Sequence, residues 1–251
     1  MSPNLELVAL PGLPEISAGA KLGGLLASAV ERVGVPLSDD DAIVVSQKVV
    51  SKAEGRVRRL DEVEPGERAV ELAGRLGKDP RLVELVLAES RRIVRAERGV
   101  LIVETHRGWI CANAGIDASN VPGDGTVVLL PEDPDASARA LRDRLREATG
   151  AAVAVLITDT FGRAWREGLL DVALGAAGIE PMLDLRGQQD LNGRDLHHTV
   201  LAQADALAAA AGLLMRKGDR IPAVLVRGYR FAPSDAGGAA LVRARENDLF
   251  R

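Results

Sequence analysis

A chain of 251 residues with 47% hydrophobic and 27% charged residues carries enough apolar material for one large core or two smaller ones, which argues against disorder. A formal net charge of -4 supplies no basic footprint for nucleic acid or an anionic membrane, and 2% aromatic content leaves too few rings for a base-stacking platform. No apolar stretch reaches the roughly 18 residues needed to span a bilayer, the single cysteine, Cys111, cannot close an internal disulfide, and "MSPNLELVALPG" has no signal-peptide pattern, so a cytoplasmic protein is expected.

Along the chain, short β-branched runs bounded by Gly, Pro or Asp predict strands at "LELVAL", "AIVVSQKVVS", "GVLIVET", "WICANAG", "TVVLLP", "AAVAVLITD" and "PAVLVRG". Helices are expected between them, over 20–33, 67–77, 80–94, 134–149, 165–177 and 198–216. Asp133 is a natural N-cap, followed by Pro134 at the first helical position, where a missing N–H costs nothing. The alanine-rich "VLAQADALAAAAGLLM" is interrupted by Gln203 and Asp205 and reads as a packed helix. No Pro/Ser-rich linker, repeat or low-complexity segment divides the chain. The expected architecture is therefore one α/β unit over residues 1–251, of two interleaved lobes with a soft boundary near 150.

Four stretches carry candidate chemistry. "VVSQKVVSKAEGR" runs from a strand into Gln47, Lys48, Ser51, Lys52, Glu54 and Gly55. Lysines four apart beside a glycine suit a phosphate cradle, although the Walker spacing is absent and the window alone favours a solvated strand end. "WICANAGIDASNVPGDG" presents Asn113, Asp117, Ser119 and Asn120 in a turn that either closes a loop or supplies oxygen ligands. "LITDTFGRAWREG" packs Asp159, Thr160, Arg163, Trp165, Arg166 and Glu167 together. Asp117 and Asp159 each follow an apolar run, so strands ending side by side would bring their carboxylates together. With the Thr160 hydroxyl they form the oxygen donor set that Mg²⁺ or Mn²⁺ prefers to share with substrate phosphates. The fourth stretch, "DLRGQQDLNGRDLHHT", carries Asp184, Arg186, Asp190, Arg194 and Asp195, and fits either a salt-bridged loop or an anion clamp. His106, His197 and His198 are the only histidines, and a structural or surface role is expected for them.

"LPGLPEI", "VVSQKVVSKAEGR", "ICANAGIDASNVP", "TDTFGRAWREGLLDVALGAAGIEPMLDLRG", "DLNGRDL" and "PAVLVRG" occur in an order that resembles the coenzyme F-420 gamma-glutamyl ligase family, spanning the chain from about residue 10 to 228. The resemblance implies an α+β fold with mixed β-sheets, flanking helices and two interleaved lobes, assembled as a butterfly-like homodimer. It implies a GTP-dependent ligase that joins L-glutamate to coenzyme F-420-0 through an acyl phosphate. Two divalent ions, Mg²⁺ or Mn²⁺, are expected as cofactors, with K⁺ as a candidate monovalent ion. Asp117 and Asp159 fall on the family's first metal site and Thr160 on its second. Nucleotide contacts carry over to Leu13, Pro14, Glu15 and Ile16, to Gln47, Lys48 and Lys52, to Asn120, and to the segment from Met215 to Pro222 that includes Arg216, Lys217, Gly218 and Asp219. Arg163 and Arg166 are expected to face anionic substrates. Gln47 and Lys48 replace a small hydroxyl pair, and Lys217 stands where a glutamine helps hold the second ion. A charged lysine cannot ligate a metal, so the options are a reduced ligand set, partial replacement of the ion's charge by Lys217, which is preferred, or recruitment of Asp219. A metal-dependent phosphohydrolase and a non-catalytic nucleotide-binding protein are the alternative functions. Neither nucleic acid nor a membrane is an expected partner.

Overall fold

The computed structural model describes residues 4–121 and 123–249; Pro122, which closes the "ICANAGIDASNVP" motif, and Met1, Ser2 and Pro3 of the N-terminal window lie outside the described residues. In chain order the elements are β1 (Glu6–Ala9), α1 (Leu22–Val33), β2 (Ala42–Ser46), α2 (Gln47–Ala53), β3 (Val57–Arg59), α3 (Glu67–Leu76), α4 (Pro80–Ala88), β4 (Ser90–Glu97) and β5 (Val100–Thr105). They continue with β6 (Ile110–Ala112), β7 (Thr126–Val128), α5 (Pro134–Thr149), β8 (Ala154–Arg163), β9 (Arg166–Ala177), β10 (Leu183–Asp184), β11 (Val200–Leu201), α6 (Gln203–Gly212) and β12 (Ala223–Arg227).

The principal sheet has the order β1-β12-β2-β8-β9. Its β2–β8 pair is parallel and the other three pairs are antiparallel, so the sheet is mixed. Successive residues of β2 enter opposite cores. Ile43 and Val45 pack with Leu26, Val30, Leu141 and Leu145 of α1 and α5, whereas Ala42 and Val44 pack with Ala204, Leu207, Ala208 and Ala211 of α6. A strand covered on both faces has no polar side to present, which explains the unbroken apolar run. A third core lies under α3 and α4, where Leu72, Leu76, Val83 and Val86 meet Leu101, Val103 and Val127. The fold is α+β, with mixed sheets and flanking helices.

Local chemistry explains several element ends. Asp133 Oδ1 accepts the Ala136 N–H at 3.0 Å at the start of α5, as the Asp-Pro pair predicts. Asp79 does the same for α4, accepting the Arg81 N–H at 2.9 Å.

Four expectations require correction. The predicted strand "AIVVSQKVVS" ends at Ser46, and the chain turns directly into α2. The helix is spanned by polar residues four apart, Ser51 Oγ donating to Gln47 Oε1 at 2.9 Å across one turn. The helix expected over 80–94 stops at Ala88, because the β-branched residues after Ser90 pair antiparallel with β5. The helix expected over 198–216 is confined to α6, with β11 before it.

The fourth correction is the largest. Residues 166–177 form β9, not a helix, and pair with β8 from Arg163↔Arg166 to Val155↔Ala177. The run is rich in leucine and alanine, which favour helix, but its small residues serve close approach. A Cβ on Gly175 would lie 2.4 Å from the carbonyl of Pro134 at the start of α5. Tertiary packing therefore overrides propensity. The hairpin turns at Ala164 and Trp165, the latter at φ 58°.

No helix among the described residues is long and apolar enough to cross a membrane.

Candidate active site

A cavity of about 1140 Å³ opens at the carboxyl ends of the parallel strands β2 and β8, the usual place for a ligand in a sheet with parallel strands. Its walls include the β2–α2 turn, β5 and β6, the loop carrying Asp117 to Asn120, and the long β8–β9 hairpin. Leu13, Pro14 and Glu15 close one side, and Met215, Arg216 and Lys217 another.

Asp159 does not end its strand as the sequence suggested. Pairing with β9 extends β8 to Arg163, so Asp159 and Thr160 sit within the strand. Asp117 reaches them from a different element, held by a two-way backbone bridge to Val128 with N···O distances of 3.1 and 2.9 Å. The convergence expected from two neighbouring strand ends therefore comes from a loop facing a hairpin.

The acids are in different electrostatic states. Burial works against the charge of Asp117. Hydrogen bonds from Lys48, from the Ser119 N–H at 2.6 Å and from the Ser119 hydroxyl at 3.0 Å outweigh it and hold its carboxyl below the ordinary value. Lys48 Nζ lies 2.8 Å from Asp117 Oδ2 and also donates to Ser119 Oγ at 2.6 Å. Burial pushes Asp159 up to about 6, the charges of Asp117 and Asp171 add to the rise, and the Thr160 N–H and Lys48 oppose it. Asp171 is also raised by burial, against the Thr160 hydroxyl, which donates to it at 2.8 Å. Cys111 borders the cavity as a thiol, pushed to about 12 by burial and the Asp159 charge.

Lys52 is 7% exposed and donates to Glu15 Oε1 at 2.5 Å and to the Asn120 carbonyl at 2.8 Å, tying the N-terminal loop to the Asp117 loop. Asn120 Nδ2 in turn donates to the Lys217 carbonyl at 3.2 Å, and Lys217 Nζ stands 3.7 Å from Asp117 Oδ2.

The cavity thus gathers Leu13, Pro14, Glu15, Lys48, Lys52, Asp117, Asn120, Asp159, Thr160, Arg163, Met215, Arg216 and Lys217. Other candidates stand outside its lining. Ile16 is in the core beside α1, and Gln47 is fully buried, accepting from Ser51. Arg166 and Gly218 are exposed, and Asp219 is spent on Arg216 Nε at 2.6 Å. Asp184 and Arg186 of the fourth stretch border a smaller cavity of about 350 Å³, paired at 2.5 Å, while Asp190, Arg194 and Asp195 lie in an exposed loop. His197 and His198 are exposed, and His106 lies against the Ala88 carbonyl at 2.9 Å, so none of the three borders the cavity. Asp171 lies in a segment whose composition predicts helix, and only the strand register sets it opposite Thr160.

Among the described residues, no group of three or more His, Cys, Asp and Glu side chains is arranged to cage a metal ion unaided. The donors nevertheless suit a hard cation that completes its shell with substrate oxygens. They are carboxylates and a hydroxyl; Asp159 is raised by burial first and by the neighbouring Asp117 and Asp171 charges second, and a divalent charge would offset both.

A family model described as "F420-0:Gamma-glutamyl ligase" matches residues 12–228. The chain belongs to the F420-0 gamma-glutamyl ligase family. The "Coenzyme F420:L-glutamate ligase" of Methanothermobacter thermautotrophicus is 46% identical over 251 residues, covering 99% of each chain. Proteins of the same name from Methanopyrus kandleri and Archaeoglobus fulgidus are 44% and 45% identical, over 99% of this chain and 98% and 97% of theirs. As a member of this gamma-glutamyl ligase family, the chain is an enzyme of the ligase class. The match includes the β2–α2 turn, the Asp117 loop and the whole β8–β9 hairpin.

Proposed function

We propose that the protein joins the amine of L-glutamate to the terminal carboxylate of coenzyme F-420-0 at the expense of GTP, through an acyl phosphate. The observation that carries this reading is the gathering of Asp117, Asp159, Thr160, Lys48 and Lys52 around one cavity in a chain of this family. The carboxylate oxygen of F-420-0 takes the γ-phosphoryl group, releasing GDP. The glutamate amine, after losing its proton, attacks the acyl carbon and expels phosphate. Neither step needs a protein nucleophile, so the protein's work is positioning and electrostatic stabilisation.

Asp117, Asp159 and Thr160 are the residues that would hold Mg²⁺ or Mn²⁺, with Asp171 orienting the Thr160 hydroxyl. Bound there, such ions would neutralise phosphate charge and orient the transferring group. Lys48 holds Asp117 in place and borders the phosphate region, and Lys52 presents an ammonium already clamped by Glu15 and the Asn120 carbonyl. Lys217 supplies a fixed positive charge beside Asp117, in keeping with partial replacement of a second ion's charge. Arg163, which borders the cavity, would meet an anionic substrate group, whereas Arg166 would do so only by moving. K⁺ is left as a candidate monovalent ion, and the family resemblance also supports a two-lobed protomer in a homodimer, to be checked by sedimentation.

Release of phosphate from GTP that requires both F-420-0 and L-glutamate is the expected result. Phosphate release independent of glutamate would favour a phosphohydrolase instead.

A further inference from the structure

Ser46 and Thr158 are register partners across the parallel pair β2–β8, the last pair before β2 gives way to α2. Partners on adjacent strands lie about 4.8 Å apart and project from the same face. Both residues line the cavity. Thr158 is 1% exposed, and its Oγ1 has no hydrogen-bond partner. Ser46 stands at the N-cap position of α2, yet its side chain makes no capping bond.

Buried hydroxyls are ordinarily satisfied, most often by a nearby backbone carbonyl, because an unmade bond forfeits the hydration of the free group. Thr158 lines the cavity, and its hydroxyl, shielded from water and without a partner, points to an acceptor that arrives with the ligand. The neighbours narrow its chemistry. Lys48 is two residues beyond Ser46, and Lys48 and Lys52 of α2 line the same cavity as the pair. A tetrahedral phosphoryl group has several free oxygens, enough for two neutral O–H donors and a lysine, and its charge suits this cationic side of the cavity.

We infer that the hydroxyls of Ser46 and Thr158 donate to phosphoryl oxygens of the bound nucleoside triphosphate, as a binding pair distinct from the charged residues assigned above. This rests on the reading that a nucleoside triphosphate enters the cavity, but it does not depend on what receives the phosphoryl group.

The test uses Thr158→Val, Thr158→Ser, Ser46→Ala and the Ser46→Ala/Thr158→Val double variant. Each is titrated calorimetrically with a non-hydrolysable GTP analogue and with inorganic pyrophosphate, in the presence of Mg²⁺, and its melting temperature is recorded. Valine keeps the shape of threonine and removes only the unpaired hydroxyl. Thr158→Val should therefore melt at or above the wild-type temperature while binding the GTP analogue about fivefold more weakly. The double variant should be weaker still, and Thr158→Ser should retain affinity. A parallel loss for pyrophosphate locates the contact on the phosphate chain; unchanged pyrophosphate binding beside weakened analogue binding would move it to the nucleoside and overturn the phosphoryl assignment. Analogue affinity within about twofold of wild type, or a clear drop in the melting temperature of Thr158→Val, would also overturn it. Weakened analogue binding in a protein that makes no glutamate-dependent product would leave the hydroxyl pair standing and remove the ligase reading. Intact ligation with unchanged affinity would remove the pair alone.

Discussion

Replacing Asp159 by Asn should make the metal-free protein more stable and the enzyme nearly inactive. The carboxyl of Asp159 has an ordinary value of 3.8 and is pushed to about 6 in the folded protein, by burial first and then by Asp117 and Asp171. A folded value above the unfolded one means that the ionised group opposes folding at neutral pH. The difference corresponds to at most about 3 kcal/mol, of which about 1–2 kcal/mol is a reasonable expectation at a cavity open to water and counterions. Asparagine keeps the shape and can still accept the Thr160 N–H, but carries no charge. At about 2–4 °C per kcal/mol for a chain of this size, Asp159→Asn should melt about 2–8 °C higher at pH 8. The gain should shrink as pH falls through about 6 towards 4, where the wild-type carboxyl takes up its own proton in the folded state. Mn²⁺ should raise the melting temperature of the wild type and not of the variant, since an ion that binds only the folded state stabilises it by mass action. Turnover should fall about a thousandfold, equivalent to about 4 kcal/mol of transition-state stabilisation. Calorimetry at pH 4, 6 and 8 with a phosphate-release assay covers all of these. A variant less stable than wild type at pH 8, or one that keeps more than about half the activity at saturating metal, would refute the reasoning.

Other outcomes follow from the same geometry. Lys52→Ala should weaken GTP binding more than glutamate binding and also loosen the N-terminal loop, because Lys52 ties Glu15 to the Asn120 carbonyl; unchanged GTP affinity by calorimetry would remove Lys52 from the nucleotide site. Lys217→Gln should shift the Mn²⁺ activation curve to lower concentration, by up to about a hundredfold, the effect of roughly 3 kcal/mol between unit charges about 6 Å apart at an effective dielectric near 20. Superimposable titrations would show that Lys217, despite lying 3.7 Å from Asp117, is outside the ion's field. Gly212→Ala should cost activity although alanine favours helix, because its Cβ would stand 1.8 Å from Asp171 Oδ2 and force that carboxylate away from Thr160; wild-type turnover would contradict the role given to Asp171. Below pH 6 the apparent Mn²⁺ affinity should fall about tenfold per pH unit, as protons compete for Asp159.

Residue type and order made much of this site legible. Lys48, Lys52, Asp117, Asp159 and Thr160 were all nameable because acids and lysines that end apolar runs are unusual, and the family pattern spans them. The Asp133-Pro134 cap could be read because capping is local chemistry. What escaped was set by partners distant in the chain. Nothing within "EGLLDVALGAA" announces a strand, since its glycines and alanines answer to α5 and α6 packed against it. Losing β9 meant losing Asp171, whose place opposite Thr160 exists only in the hairpin register. Gln47 and Ile16 matched family positions but face inward, a distinction that depends on how α2 and the N-terminal loop pack. Ser46 and Thr158 are unremarkable in sequence and become a pair only when two strands 112 positions apart align in parallel.

The central claim is glutamate ligation, and mass spectrometry of F-420-0 incubated with the protein, GTP, Mn²⁺ and L-glutamate tests it most directly. The expected product is heavier by one or more glutamyl residues, formed with GDP and absent when glutamate is omitted or Asp159 is replaced by Asn. Unchanged F-420-0 in a mixture where GTP is consumed would contradict it.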